Sequence, residues 1–259
     1  MRSFITSQQT AFFTQNGYIE LGGLNFNPEE LFSNARGSIQ PFGRDLWRSS
    51  PVLRRLLLSK LGPAVFQLSL KPLRLAFDQW IPAVRGRQQS LNPSSSEPFR
   101  DLSLAASAPM EPSAYATSHP SETSSKSLVE SDELILYRHP LKIDKPCPIQ
   151  DLFCIQGLAL CALFTGAEVS PPVRRAAALG IPPFSSSPDA VLFVRPNIVL
   201  DWPLLLKSPV DLYVAAYALT NHGVYVHNPK DAATHSLKDL GYEFGDVLTE
   251  AHHPTLLSK

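Results

Sequence analysis

The residues best equipped to hold a metal are seven histidines: His119, His139, His222, His227, His235, His252 and His253. Two imidazoles and one carboxylate on one face of a ferrous ion leave adjacent positions open for substrate and oxygen. On a single strand such a set would begin with His-x-Asp or His-x-Glu, and neither spacing occurs. His119 with Glu122 comes nearest, one residue too long and inside a Ser-rich stretch. His139 precedes Pro140, with Asp144 five residues on, so His139, Asp144 and His222 form the least bad ligand set. His252 and His253 are adjacent, and on an extended chain their side chains should point opposite ways. His222 and His227 flank Gly223-Val224-Tyr225-Val226 and read as surface histidines. Cys147, Cys154 and Cys161 recur every seven residues, without the Cys-x-x-Cys pair of a zinc site. An odd count of thiols in an apolar region reads as buried, free cysteine in a reducing compartment.

Other chemistries find less support. There is no Gly-x-Gly-x-x-Gly, no Gly-Lys-Ser/Thr and no Gly-x-Ser-x-Gly, so phosphate loops and a nucleophile elbow are set aside. Asp78 with Gln79, and Asp189 with Asp201, could do acid–base work, but sequence separation defines no geometry for the second pair. Trp80, Trp202, Phe77 and Phe193 read as core or pocket wall. Charge is balanced, with 23 basic and 23 acidic residues. That gives no electrostatic argument for nucleic acid or an anionic membrane, and Arg54, Arg55 and Lys60 read as a solvated face. A metal-responsive DNA-binding regulator, the third functional class, lacks a basic recognition helix. Residues 1–16 carry one Arg and no apolar signal core. The longest apolar stretch, 152–164, is too short to span a bilayer. The expectation is a soluble, cytoplasmic protein whose partner is a small molecule or another protein.

Several elements must position these residues. Thr6 and Gln9 predict a capping box opening a helix over 7–15, with Gly17 as its stop. Tyr18-Ile19-Glu20-Leu21 alternates as a strand. Asn27-Pro28-Glu29-Glu30 predicts a capped helix to about Arg36. Ser50-Pro51 predicts another over 52–61, stopped by Gly62-Pro63. Strands are expected at 73–80, 134–138, 152–164, 190–196, 210–219 and 223–227. Leu75, Phe77, Leu160, Val191, Phe193 and Val214 should share one β core. The Ser- and Pro-rich segment 84–127 should be loop or mobile. The pattern predicts one domain over 1–259: a helical layer (1–72) against a mainly β, jelly-roll core (73–259) interrupted at about 84–127.

Four segments resemble the phytanoyl-CoA dioxygenase-like branch of the Fe(II)/2-oxoglutarate-dependent oxygenases. Phe12-Phe13-Thr14-Gln15-Asn16-Gly17-Tyr18-Ile19 is similar to that branch's opening helix-to-strand signature. Residues 73–80, ending Asp78-Gln79-Trp80, resemble the strand before its first metal loop. Residues 188–196 resemble the strand leading to its distal histidine, and 240–248 with His253-Pro254 resembles a closing segment of some members. The resemblance implies a double-stranded β-helix, with Fe(II) and 2-oxoglutarate as cofactors of an active member. Val199 or Leu200 stands where the distal histidine is expected. Lys207 is the weak substitute for the arginine that clamps the 2-oxoglutarate carboxylate, with Asp211 beside it. These departures lead to a catalytically eroded oxygenase fold acting as a binding or regulatory module, with no catalytic residue assigned and neither metal nor cofactor expected. The alternative is an active oxygenase with relocated ligands.

Overall fold

Thr6 accepts the Gln9 N–H on its hydroxyl at 3.2 Å while the Gln9 side chain takes the Thr6 N–H at 2.8 Å. This capping box opens α1 (Ser7–Asn16), and Gly17 closes it at φ 78°. The computed structural model describes residues 5–24, 27–36, 43–82, 143–165, 190–206 and 211–256, all within one compact unit. The expected strand 134–138 and the segment 84–127 lie outside the described residues. β1 (Tyr18–Leu21) follows α1, and Asn27 caps α2 (Pro28–Arg36) by accepting the Glu29 N–H.

Ser50 accepts the Leu53 N–H and starts α3 (Pro51–Arg55), which widens into a π turn over Leu56–Lys60. Gly62-Pro63 then begins a new helix, α4 (Gly62–Ser69), and does not stop the old one. The reason is positional: a proline in the first helical turn lacks only an N–H that would have had no partner.

Five antiparallel strands form the main sheet in the order β1, β6, β5, β8, β2. These are β2 (Leu73–Ile81), β5 (Leu158–Thr165), β6 (Val191–Val194) and β8 (Leu212–Leu219), with β1 at one edge. Two short antiparallel pairs lie over one face. β3 (Cys147–Pro148) pairs with β7 (Val199–Leu200), and β4 (Ile155–Gln156) with β9 (Val224–Tyr225). A short helix, α5 (Trp202–Leu206), follows β7, with Asp201 accepting the Leu204 N–H. The single strand expected over 152–164 is broken at Gly157. There φ is +75° and an added Cβ would sit 1.8 Å from the His222 carbonyl oxygen, so only glycine fits.

Alternation along the strands sorts the core into two layers. Leu160, Val191, Phe193, Tyr213 and Tyr217 face the helices. Leu163, Leu192, Val194, Val214 and Ala216 face inward, under the short strand pairs. The six residues expected in one core are all buried but divide between these layers. Leu75, Leu160, Val191 and Phe193 lie on the helical side, Phe77 and Val214 on the inner side. A bulge in β2 between Leu75 and Phe77 shifts its register against β8 and sends those two side chains to opposite faces.

The edge of β2 not paired with β8 is covered twice. Pro254 and Leu256 exchange backbone hydrogen bonds with Leu73 and Leu75, and Arg44 bridges to Gln79.

Candidate functional site in the sandwich interior

Asp78 and Gln79, adjacent on β2, point to opposite faces, so they cannot act as one acid–base pair. Gln79 faces inward, where its side-chain oxygen accepts the Arg44 Nε–H at 2.8 Å. Arg44 Nη2 lies 2.9 Å from both carboxylate oxygens of Asp231. The guanidinium carbon stands 4.6 Å from the Phe77 ring centre and 5.1 Å from that of Phe153. Asp231 also accepts the N–H groups of Cys154 and Ala233, each at 3.0 Å. Side-chain exposure is 2% for Arg44 and 0% for Asp231. Burial by itself would weaken the guanidinium's hold on its proton, but the Asp231 carboxylate, aided by Cys154 and Asp45, leaves Arg44 raised above its ordinary range. Burial likewise pushes the Cys154 thiol up to about 12, so it is neutral and inert.

The loop that delivers Arg44 is tightly constrained. Gly43 has φ +64°, and an added Cβ would meet the Trp80 carbonyl oxygen at 2.7 Å. Asp45 is left-handed at φ 57°, and its N–H donates to the Asp78 carbonyl at 3.0 Å.

On the helical face the Asp78 carboxylate takes the Trp47 N–H at 3.0 Å and the Tyr213 hydroxyl, both on Oδ2. Its Oδ1 is buried without a hydrogen-bond partner among the described residues, as is Asp45 Oδ1. Burial first and the Asp45 charge second raise Asp78 to about 7, against the opposing pull of the Tyr213 hydrogen bond. Burial and the Asp78 carboxylate together raise Tyr213 well above its ordinary value.

His253 is fully buried. Its Nδ1 lies 3.2 Å from the Leu75 carbonyl oxygen and its Nε2 3.4 Å from Arg48 Nη2. This fits a tautomer in which Nδ1 donates to the carbonyl and Nε2 accepts from arginine. Burial, then Arg48, lowers it to about 3. His252 is half-buried, and both rings lie edge-on to Tyr242, at 5.8 and 5.6 Å. The chain bends at this point, and the two-residue alternation of an extended strand does not apply.

Of the residues proposed from sequence as iron ligands, Asp144 and His222 lie among the described residues, and neither belongs to this interior. Asp144 and His222 are both exposed, the first ahead of β3 and the second in the turn after β8. His139 and Lys207 lie outside the described residues. Val199 is exposed and Leu200 buried in the inner layer. Cys147, Cys154 and Cys161 are buried and free, and Cys147 offers its carbonyl to the Trp202 indole N–H at 3.0 Å. Trp202, Phe77 and Phe193 are buried, as expected, and Trp80 half-buried. Among the described residues no group of three His, Cys, Asp or Glu side chains could hold a metal ion. The Arg44 guanidinium, a candidate clamp for a dicarboxylate, is neutralised by Asp231. The described residues of this interior therefore do not by themselves fit Fe(II) with 2-oxoglutarate.

Sequence reasoning missed Arg44, Asp231 and the burial of His253. Arg44 and Asp231 are 187 residues apart and share no motif. The Gly43-Arg44-Asp45 turn was the only local hint.

The backbone is similar to those of several solved structures. One is the non-heme alpha ketoglutarate dependent carbocyclase SnoK from nogalamycin biosynthesis, at 13% identity and TM-score 0.52, covering 98% of this chain and 97% of that one. Another is the epimerase SnoN from the same biosynthesis, at 14% identity and TM-score 0.55, with 97% and 96% covered. SnoN in complex with Fe3+, alpha ketoglutarate and nogalamycin RO matches at 15% identity and TM-score 0.51, with 96% and 98% covered. No family model and no curated protein sequence matches. The chain has the double-stranded β-helix, or jelly-roll, fold of the 2-oxoglutarate oxygenases, with helices flanking the main sheet. Among the described residues no helix is long and apolar enough to cross a membrane.

Proposed function

We propose that this chain is a non-catalytic, cytoplasmic protein on the oxygenase fold, serving as a binding or regulatory module. The observation that supports this reading is the Arg44–Asp231 pair between Phe77 and Phe153. A cation that could clamp a dicarboxylate is already bonded to a carboxylate, and apolar side chains surround it. The phytanoyl-CoA dioxygenase-like branch remains the family proposed. In its support, three of the four resembling segments fall on α1–β1, β2 and β6.

A second reading, an active oxygenase with relocated ligands, draws support from the fold neighbours, which are named as alpha ketoglutarate dependent enzymes. Anaerobic titration with Fe(II) and 2-oxoglutarate separates the two. The module predicts no iron–2-oxoglutarate charge-transfer band and, once oxygen is admitted, no 2-oxoglutarate turnover. A band saturating at one equivalent, lost on replacing His139 or His222, would establish the oxygenase.

A further inference from the structure

On the helical face of the sheet, away from the Arg44 interior, lies a cavity of about 330 Å³. Phe13 of α1, Leu68 of α4, Ala159 of β5 and Leu219 of β8 give it apolar walls, and Lys71 and Arg195 are its cations. Among the described residues no acidic side chain lines it.

The two cations are held differently. Arg195 is anchored: its N–H donates to the Gly17 carbonyl at 2.7 Å, Nη2 donates to the Thr14 carbonyl at 3.1 Å, and its guanidinium carbon is 5.7 Å from the Phe13 ring centre. That accounts for one donor of the guanidinium and leaves others without a partner among the described residues. Lys71 stands just beyond α4, and its ammonium makes no hydrogen bond or ion pair among the described residues. Neutralising the ends of α1 and α4 explains why cations are tolerated here. It does not explain an apolar recess opening between them.

A recess lined largely by hydrocarbon, with Ser69 beside it and two cations that have no acidic partner among the described residues, complements a molecule that is apolar at one end and anionic at the other. The carboxylate gains charge-assisted hydrogen bonds and the tail leaves water. We infer that this cavity binds a small monocarboxylate with a short hydrocarbon tail, the carboxylate between Lys71 and Arg195 and the tail against Phe13 and Leu219. The inference goes beyond the proposed function, because occupancy here is independent of iron and of the sheet's inner face. A positive iron titration would leave it untouched, and its failure would leave the non-catalytic reading standing.

The test is an amide-resolved NMR titration of the full chain with hexanoate, hexan-1-ol and inorganic phosphate. Hexanoate should give saturable shifts at Lys71, Ala159 and Leu219, with hexanol and phosphate each at least about tenfold weaker, the factor expected for one charge-assisted contact. Lys71→Met should weaken hexanoate by a similar factor at unchanged melting temperature, since that side chain holds nothing in place. No saturable shift with hexanoate would overturn the inference, as would equal binding of hexanol or of phosphate. The three-ligand comparison on the unaltered chain needs no variant.

Discussion

The two faces of the main sheet solve burial in different ways. The helical face is apolar apart from Asp78 and two tyrosines, Tyr213 donating to Asp78 and Tyr217 to the Leu57 carbonyl. The inner face carries a full ion pair, Arg44–Asp231, held in place by Gln79 and by the N–H groups of Cys154 and Ala233. On the first face burial raises the acid so that it keeps its proton to about neutral pH; on the second, the charge is compensated by an opposite one. The difference teaches that burial of a charge in this fold does not by itself mark a reactive group, since compensation has removed the reactivity of Arg44.

The largest effect should come from breaking the compensation. Arg44→Met leaves Asp231 charged and dry, which costs about 3–5 kcal/mol. Adding Asp231→Asn removes the stranded charge and should recover more than half of that loss in urea unfolding. On the other face Phe193→Ala should cost a similar 3–5 kcal/mol through the cavity it leaves, with no single second change to rescue it. If the double variant were no better than Arg44→Met, the contrast between the faces would fail.

Protonation offers an intermediate test. Asp78 is raised to about 7, so the folded state holds a proton that the unfolded chain releases near 4, and stability from this group falls as pH rises through that window. His253 is lowered to about 3, so its contribution has the opposite sign: stability is lost as pH falls below the unfolded value near 6.5. The two should nearly cancel between pH 4 and 6.5 in the unaltered protein. Asp78→Asn should uncover a rise in stability with pH of about 2–4 kcal/mol over that interval, and His253→Gln a fall of similar size. Chemical denaturation at several pH values checks both slopes.

Much of the fold could be read from residues that act locally. The Thr6–Gln9 capping box, the Ser50 cap and the alternation in β1 and β8 depend on neighbours within a few positions. The misreadings have physical causes of the opposite kind. Gly62-Pro63 has the same composition whether it ends a helix or starts one, and the packing of α4 decides. The bulge before Phe77 is set by pairing with β8, and the break at Gly157 by the approach of His222. Asp231 lies in an ordinary turn, and only the completed chain brings it to Arg44. The candidate site was therefore the least legible part, because its members come from four distant segments.

The smallest predicted effect lies in that legible class. Thr6→Ala or Ser50→Ala should each cost about 1 kcal/mol by leaving a helix N–H without its acceptor. Neither should alter the pH slopes, since both caps are remote from Asp78 and His253 in the hydrogen-bond network.

The doubly covered margin of β2 carries a consequence for how chains meet one another. An uncovered strand margin is a template for pairing with a second molecule. Residues 43–45 shield one half of β2 and residues 254–256 the other. The second shield is separated from β2 by about 180 positions of sequence, so a growing chain must hold Leu73–Ile81 before its cover exists. During that interval the nascent strand is open to its copies on neighbouring ribosomes, and sealing it turns a sticky intermediate into a sheet that no longer recruits.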